Sequence, residues 1–112
     1  MSGHEPAAAA VQRALLACAG PGAAEQLALA QARLAWHEVT EAAGLTRGGL
    51  SARLTRVEGG TAHVAASEPI LAQELSLRAE ALVWALNERM RGRPGATIVL
   101  RRLAVSVGRG GS

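Results

Sequence analysis

Residues 51–67 have the sequence SARLTRVEGGTAHVAAS, and this stretch decides the fold class. On both sides of the pair Gly59-Gly60, apolar and polar side chains alternate with a period of two. That alternation is typical of β-strands, and a glycine pair between two strands is typical of a tight hairpin turn. The stretch therefore predicts an antiparallel β-hairpin.

The sequence on either side of the hairpin has helical periodicity instead. A helix is predicted from about Ala23 to Ala43, ending near Gly44. After the hairpin, Ser67 is predicted to cap one long helix that continues to Arg91. The apolar stripes are Leu29, Ala32, Trp36, Val39 and Ala43 in the first of these helices, and Leu71, Leu75, Ala79, Leu82, Leu86 and Met90 in the second.

The two ends of the chain complete the predicted order. Residues 7–19 are strong helix formers, and Gly20-Pro21-Gly22 ends that helix. Thr97 to Val107 is rich in Val, Ile and Leu and predicts a strand. The predicted architecture is an α+β domain in the order α-α-β-β-α-β, with a three-stranded sheet covered by helices. Its predicted parts are an N-terminal helix and glycine-proline break (1–22), the main domain (23–108) and a disordered tail (109–112).

Composition limits the chemistry that this chain can perform. The sequence has no aspartate and no lysine, so it has no P-loop and lacks the carboxylate cluster of a typical Mg²⁺ site. Its three histidines and Cys18, the one cysteine, lack metal-ligand spacing. We therefore expect no enzymatic activity, no cofactor, no metal and no small-molecule substrate. A single cysteine is typical of proteins from a reducing compartment, and the sequence shows neither a long apolar run nor a signal sequence. These features favour a cytoplasmic protein without a membrane segment.

The basic residues are all arginine, and the net charge of +3 is mild. Arginine binds phosphate through its planar fork of donors, so these side chains are candidates for nucleic-acid binding. An ordinary solvated surface explains them equally well. No Phe or Tyr is present to stack on bases, so contact with the backbone is the expected mode. The candidates are Arg53, Arg56, Arg89, Arg91, Arg93, Arg101 and Arg102.

A second apolar stripe lies on the long predicted helix. Ile70, Leu77 and Trp84 are seven residues apart, nearly opposite the main stripe. A helix that lies on a sheet needs only one apolar face. Either the N-terminal helices cover the second face, which we expect, or it is a partner-binding site, since tryptophan often anchors interfaces.

Four segments together form a recognisable pattern: Trp36-His37-Glu38-Val39, the hairpin segment EGGTAHVAAS (58–67), the helix LAQELSLRAEALVWALNERM (71–90) and the last, arginine-containing strand. This pattern resembles the DciA family of bacterial replicative-helicase loaders. The most specific part runs from Ala72-Gln73-Glu74-Leu75-Ser76 to Leu86-Asn87. The resemblance covers roughly residues 25–108.

The resemblance implies a KH-like domain that binds the hexameric DnaB-type helicase and assists its loading onto single-stranded DNA, without ATPase activity of its own. One alternative is a general KH-like module that binds RNA or single-stranded DNA without a helicase partner, and another is a structural adaptor. Gly92-Arg93-Pro94-Gly95 matches the GxxG of a KH clamp. A KH clamp joins two helices, however, whereas this segment is predicted to join a helix to a strand. We therefore expect it to be a helix stop.

Overall fold

The computed structural model describes residues 22–108. Within them the chain forms a small α+β domain with three α-helices and a three-stranded mixed sheet, as the predicted class requires. The helix predicted at 7–19 and the tail at 109–112 lie outside the described residues. In chain order the elements are α1 (Ala23–Ala42), a 3-10 turn (Arg47–Gly49), β1 (Ala52–Glu58), β2 (Thr61–Ala66), α2 (Pro69–Leu77), α3 (Ala79–Met90) and β3 (Arg102–Val107).

The predicted hairpin is confirmed. β1 and β2 pair in antiparallel fashion, and Glu58 faces Thr61 across the turn. Gly59 and Gly60 both have positive φ, 57° and 83°, as a two-residue hairpin turn of this kind requires. The register slips between Leu54 and Arg56, which makes Thr55 a bulged residue.

The last strand is shorter than predicted. β3 pairs with β2 in parallel, in the strand order β1-β2-β3, but it begins only at Arg102. Asn87 explains why the preceding residues are not part of the strand. Its side-chain amide donates to the carbonyl of Leu100 and accepts from the Leu100 N–H, both at 2.9 Å. The backbone of Leu100 therefore bonds to a helix side chain rather than to a strand.

The prediction of one long helix after the hairpin is wrong, because α2 and α3 are separate. Arg78, between them, has φ −102° and ψ 14°, which departs from helical geometry. The spacing of four residues from Leu75 to Ala79 suits a continuous helix equally well, so periodicity did not reveal the break. The described order is consequently α-β-β-α-α-β.

The predicted cap at Ser67 is also wrong. The N-cap residue of α2 is Glu68, and no side chain caps this helix. The hydroxyl of Ser67 instead accepts a hydrogen bond from the N–H of Ser51 at 2.9 Å, and the Ser67 N–H donates to the carbonyl of Ser51 at 2.8 Å. Ser67 therefore closes the open end of the hairpin.

One apolar core joins all three helices to the same face of the sheet. The predicted main stripes of the helices are buried or half-buried in it, as expected. Trp36 is buried, and its indole N–H donates to the carbonyl of Ala52 at 3.0 Å. Arg33 donates to the carbonyls of Leu54 and Thr55. These side chains of α1 donate hydrogen bonds to backbone carbonyls on the outer edge of β1. Those carbonyls are therefore not free to pair with another strand.

Candidate partner and nucleic-acid surfaces

The second apolar stripe is exposed. Ile70, Leu77 and Trp84 are 72%, 74% and 67% exposed. Within residues 22–108 no helix buries Trp84, so the expectation fails for the helix predicted at 23–43, and the helix predicted at 7–19 lies outside the described residues. Trp84 lies two residues from both Leu82 and Leu86, which places it about 160–200° around α3 from these core residues. Its side chain consequently faces away from the core.

We call Ile70, Leu77 and Trp84 the outer helix face. Ile70 and Leu77 lie one heptad apart on α2, opposite the buried residues Leu71 and Leu75. The same two helices also carry paired charges: Arg78 and Glu74 form an ion pair at 2.6 Å, and Arg91 and Glu88 form one at 2.8 Å. Exposed apolar side chains on elements that also carry charged residues are the composition expected of a protein interface.

α1 packs against a different side of α3. Val39, Ala42 and Ala43 of α1 and Ala81, Leu82 and Ala85 of α3 line a shallow groove between these two helices. Because α1 occupies this side, it leaves Trp84 uncovered.

The three arginines at the end of α3 do not form a free cationic cluster. Arg89 and Arg93 both donate to Oε1 of Glu38 on α1, at 3.2 and 2.5 Å. Arg91 pairs with Glu88. Arg93, a candidate for nucleic-acid binding, has a side chain that is only 23% exposed. Each of the three positive charges therefore already has a carboxylate partner.

Glu38 responds electrostatically to these contacts. The hydrogen bond from Arg93 has the largest effect and lowers the pKa of the Glu38 carboxyl below its usual range. Partial desolvation opposes this change, and the hydrogen bond and charge of Arg89 add to the lowering. The carboxylate is thus held ionised at the junction between α1 and the turn that follows α3.

The GRPG turn is bound to α1. The side-chain amide of Gln31 donates to the carbonyl of Pro94 at 3.1 Å. Gly95 has φ +77°, and a Cβ there would overlap the side chain of Leu27. The turn follows the end of α3 and leads to a non-helical segment, so the expected helix stop is confirmed.

A KH clamp joins two consecutive helices, and among the described residues α2 and α3 are the helices that follow each other directly. Their junction consists of Arg78 alone, between Leu77 and Ala79. No glycine is available there to let a nucleic-acid backbone approach closely.

The face of the sheet opposite the core carries most of the other arginine candidates. The register aligns Arg53 with Ala65 and Ser106, Arg56 with His63 and Ala104, and Glu58 with Thr61 and Arg102. We call these nine residues the open sheet face, because the three described helices all pack on the other side. Arg101 alternates with Arg102 and lies beside Gly60, outside this face.

The described residues contain no group of three or more His, Cys, Asp or Glu side chains that could hold a metal ion. Within residues 22–108, no helix has the length and apolar character needed to cross a membrane. No protein-family model, no curated protein and no solved structure matches this chain. The candidate sites are therefore the two surfaces that the geometry defines, the outer helix face and the open sheet face.

The sequence did not indicate the residues that organise these surfaces. Glu38 and Arg93 are 55 residues apart, and Asn87 and Leu100 are 13 apart, with no motif to link them. Ala104 and Ser106 join the open sheet face only through the parallel register of β3 with β2. The alternation of side chains along β3 could have predicted that Ala104 and Ser106 lie on the same face of the strand. It could not have predicted which residues of β2 lie beside them.

Proposed function

We propose that this chain is a non-enzymatic, KH-like cytoplasmic domain that binds the DnaB-type replicative helicase and assists its loading onto single-stranded DNA. The observation that carries the proposal is the outer helix face, where Trp84 is 67% exposed. The resemblance of residues 25–108 to the helicase loaders supplies the identity of the partner.

The exposed side chains are those that a protein partner would use. Fully burying a large apolar side chain is worth roughly 1.5–3 kcal/mol, and this domain leaves that gain unused for Ile70, Leu77 and Trp84. Tryptophan is enriched among the residues that dominate binding energy. Trp36 is buried in the core, whereas Trp84 is exposed and contributes little to the packing of the domain.

The KH-like part of the proposal is supported by two consecutive helices that pack, together with α1, on one side of a three-stranded sheet. Arg78 at the junction of these helices disfavours a general KH module that clamps nucleic acid, because close approach of the backbone there needs glycine. A protein partner therefore accounts for the helical side of the domain better than nucleic acid does.

The second candidate function is nucleic-acid binding without a helicase, and one observation favours it. The open sheet face holds Arg53 and Arg102, which have no carboxylate within 4 Å among the described residues. This surface is on the opposite side of the domain from the helices, so the two activities need not compete. A chain that binds nucleic acid and no helicase would support the alternative.

A loading assay tests the proposed function. The purified chain is mixed with the replicative helicase from the same cell and with single-stranded DNA, and helicase bound to DNA is measured over time. We expect faster DNA engagement with the wild-type chain and a loss of that effect with Trp84→Ala. Leu34→Ala, which truncates a half-exposed leucine on α1, serves as the control and should behave as wild type. ATP hydrolysis by the chain alone, or no effect on loading, would contradict the proposal.

A further inference from the structure

Seven of the ten described arginines fall into two groups that differ in how their charge is used. On the helical side Arg78, Arg89, Arg91 and Arg93 each lie within 3.2 Å of a glutamate oxygen. On the open sheet face Arg53 and Arg102 have no such partner among residues 22–108. Arg56 has only a longer contact, 3.5 Å to Glu58. Arg47 and Arg101 are also exposed and without a carboxylate partner among these residues, but they lie outside the open sheet face. The open sheet face therefore places two unpaired arginines and one weakly paired arginine on one surface.

The open sheet face also has a shape that suits one polymer strand. Arg53 and Arg56 lie on β1 and Arg102 lies on β3, and these strands are about 10 Å apart across β2. Between these strands the outward residues of β2 are Thr61, His63 and Ala65, and Ala104 and Ser106 lie beyond them on β3. The face is therefore a strip two strand spacings wide with arginines on both borders.

We propose that the open sheet face binds the sugar-phosphate backbone of single-stranded DNA, with Arg53, Arg56 and Arg102 as the phosphate ligands. The charges are complementary, and arginine forms bidentate hydrogen bonds to phosphate. The choice of DNA over RNA rests on the proposed function. This face contains no Phe, Tyr or Trp side chain to stack on bases, so we expect binding to depend little on base sequence.

Glu58 limits the strength of this site. Its carboxylate lies in the same row as Arg102 and within 3.9 Å of His63. It lies 3.5 Å from Arg56 and repels a phosphate that approaches that arginine. Replacing Glu58 with glutamine removes that repulsion and tightens DNA binding.

Two double variants with equal net charge provide the test. Arg53→Ala with Arg102→Ala removes the two unpaired arginines of the sheet. Arg78→Ala with Arg91→Ala removes two exposed arginines that already have glutamate partners. Affinity for a fluorescent oligo(dT) strand is measured with the chain alone over a range of salt concentrations. Thermal melts check that each variant folds, and Ala104→Glu is a further variant that places a carboxylate on β3 two residues from Arg102.

We expect the sheet double variant to weaken oligo(dT) binding by about tenfold or more and the helix double variant to leave it within about twofold. The slope of log K against log salt should become shallower by about 1.4 in the sheet variant, since each lost single-strand contact removes about 0.7. Glu58→Gln should bind more tightly and Ala104→Glu more weakly. Equal losses in the two double variants would overturn the proposal, because net charge alone would then explain binding.

Two further arms separate this site from the proposed function. Oligo(rU) of the same length should bind no more tightly than oligo(dT), and a clear preference for the RNA strand would overturn the assignment to DNA. Helicase binding by the sheet double variant should equal that of the wild type. A wild-type chain that binds oligo(dT) through this face but no helicase would refute the helicase proposal while the sheet site stands.

Discussion

Arg93, in the turn after α3, donates a hydrogen bond to Glu38 near the C-terminal end of α1, and so joins two segments that are 55 residues apart in the sequence. Arg89 contacts the same carboxylate oxygen from the last turn of α3. Glu38 is therefore the point at which α1, α3 and the GRPG turn are fixed together. The contact also explains why a glycine-flanked segment with the appearance of a clamp is instead a fixed part of the fold.

Glu38→Gln should make folding stability less dependent on pH. The folded state lowers the pKa of Glu38 below its ordinary value of 4.5, so its contribution is fully present above about pH 4.5 and is lost as the pH falls through the folded-state value. The difference in urea midpoint between wild type and variant should therefore be largest near neutral pH and should shrink in acid. Glu41→Gln, a change to an exposed residue of the same helix, is the control. A difference that is constant from pH 7 to pH 3 would argue against this role.

Gly95→Ala should destabilise the domain more than Gly92→Ala. Both glycines have positive φ, which costs an alanine about 1–2 kcal/mol. At Gly92 nothing lies within 4 Å of the added Cβ, whereas at Gly95 the Cβ overlaps Leu27. Overpacking of this kind costs about 1–3 kcal/mol more. The free energy of unfolding in urea measures both, and equal losses would show that the turn is not packed on α1 as described.

The two tryptophans should differ sharply in their contribution to stability. Trp36 is buried and hydrogen-bonded to Ala52, so Trp36→Ala should cost about 3–5 kcal/mol, the usual range for a core aromatic. Trp84 faces solvent, so Trp84→Ala should change the unfolding free energy by less than about 0.5 kcal/mol. Urea titrations of the two variants provide the comparison. If Trp84→Ala proved as destabilising as Trp36→Ala, the outer helix face would be part of the core.

Most features that depend on residues close together in the sequence were predicted correctly, and features that depend on contacts between distant residues were not. The hairpin depends on alternation and on two adjacent glycines, so residues 51–67 were sufficient to predict it. The core stripes of the helices depend on a local period and were also predictable. The break at Arg78 was not, because a one-residue turn preserves the apolar spacing on both sides. Nor was the start of β3 at Arg102, since it depends on the side chain of Asn87 from another element.

The candidate sites were predictable as residue types but not as surfaces. Ile70, Leu77 and Trp84 were recognised as a surplus apolar face, yet their exposure depends on which side of α3 is covered by α1. The arginines were recognised as one set of phosphate ligands. Their division into paired and unpaired members depends on Glu38, Glu74 and Glu88, and for Glu38 the contacts join distant parts of the chain.

The affinity of the chain for the replicative helicase, measured with wild type and Trp84→Ala side by side, tests the central claim most directly. We predict binding at micromolar concentration or tighter for the wild type and a loss of about 30-fold or more for Trp84→Ala, as for an interface residue worth about 2 kcal/mol. Leu34→Ala should stay within about twofold of wild type, because a surface leucine outside the interface contributes little. A wild-type chain that shows no binding at micromolar concentrations, or a Trp84→Ala variant that binds as tightly as wild type, would contradict the account.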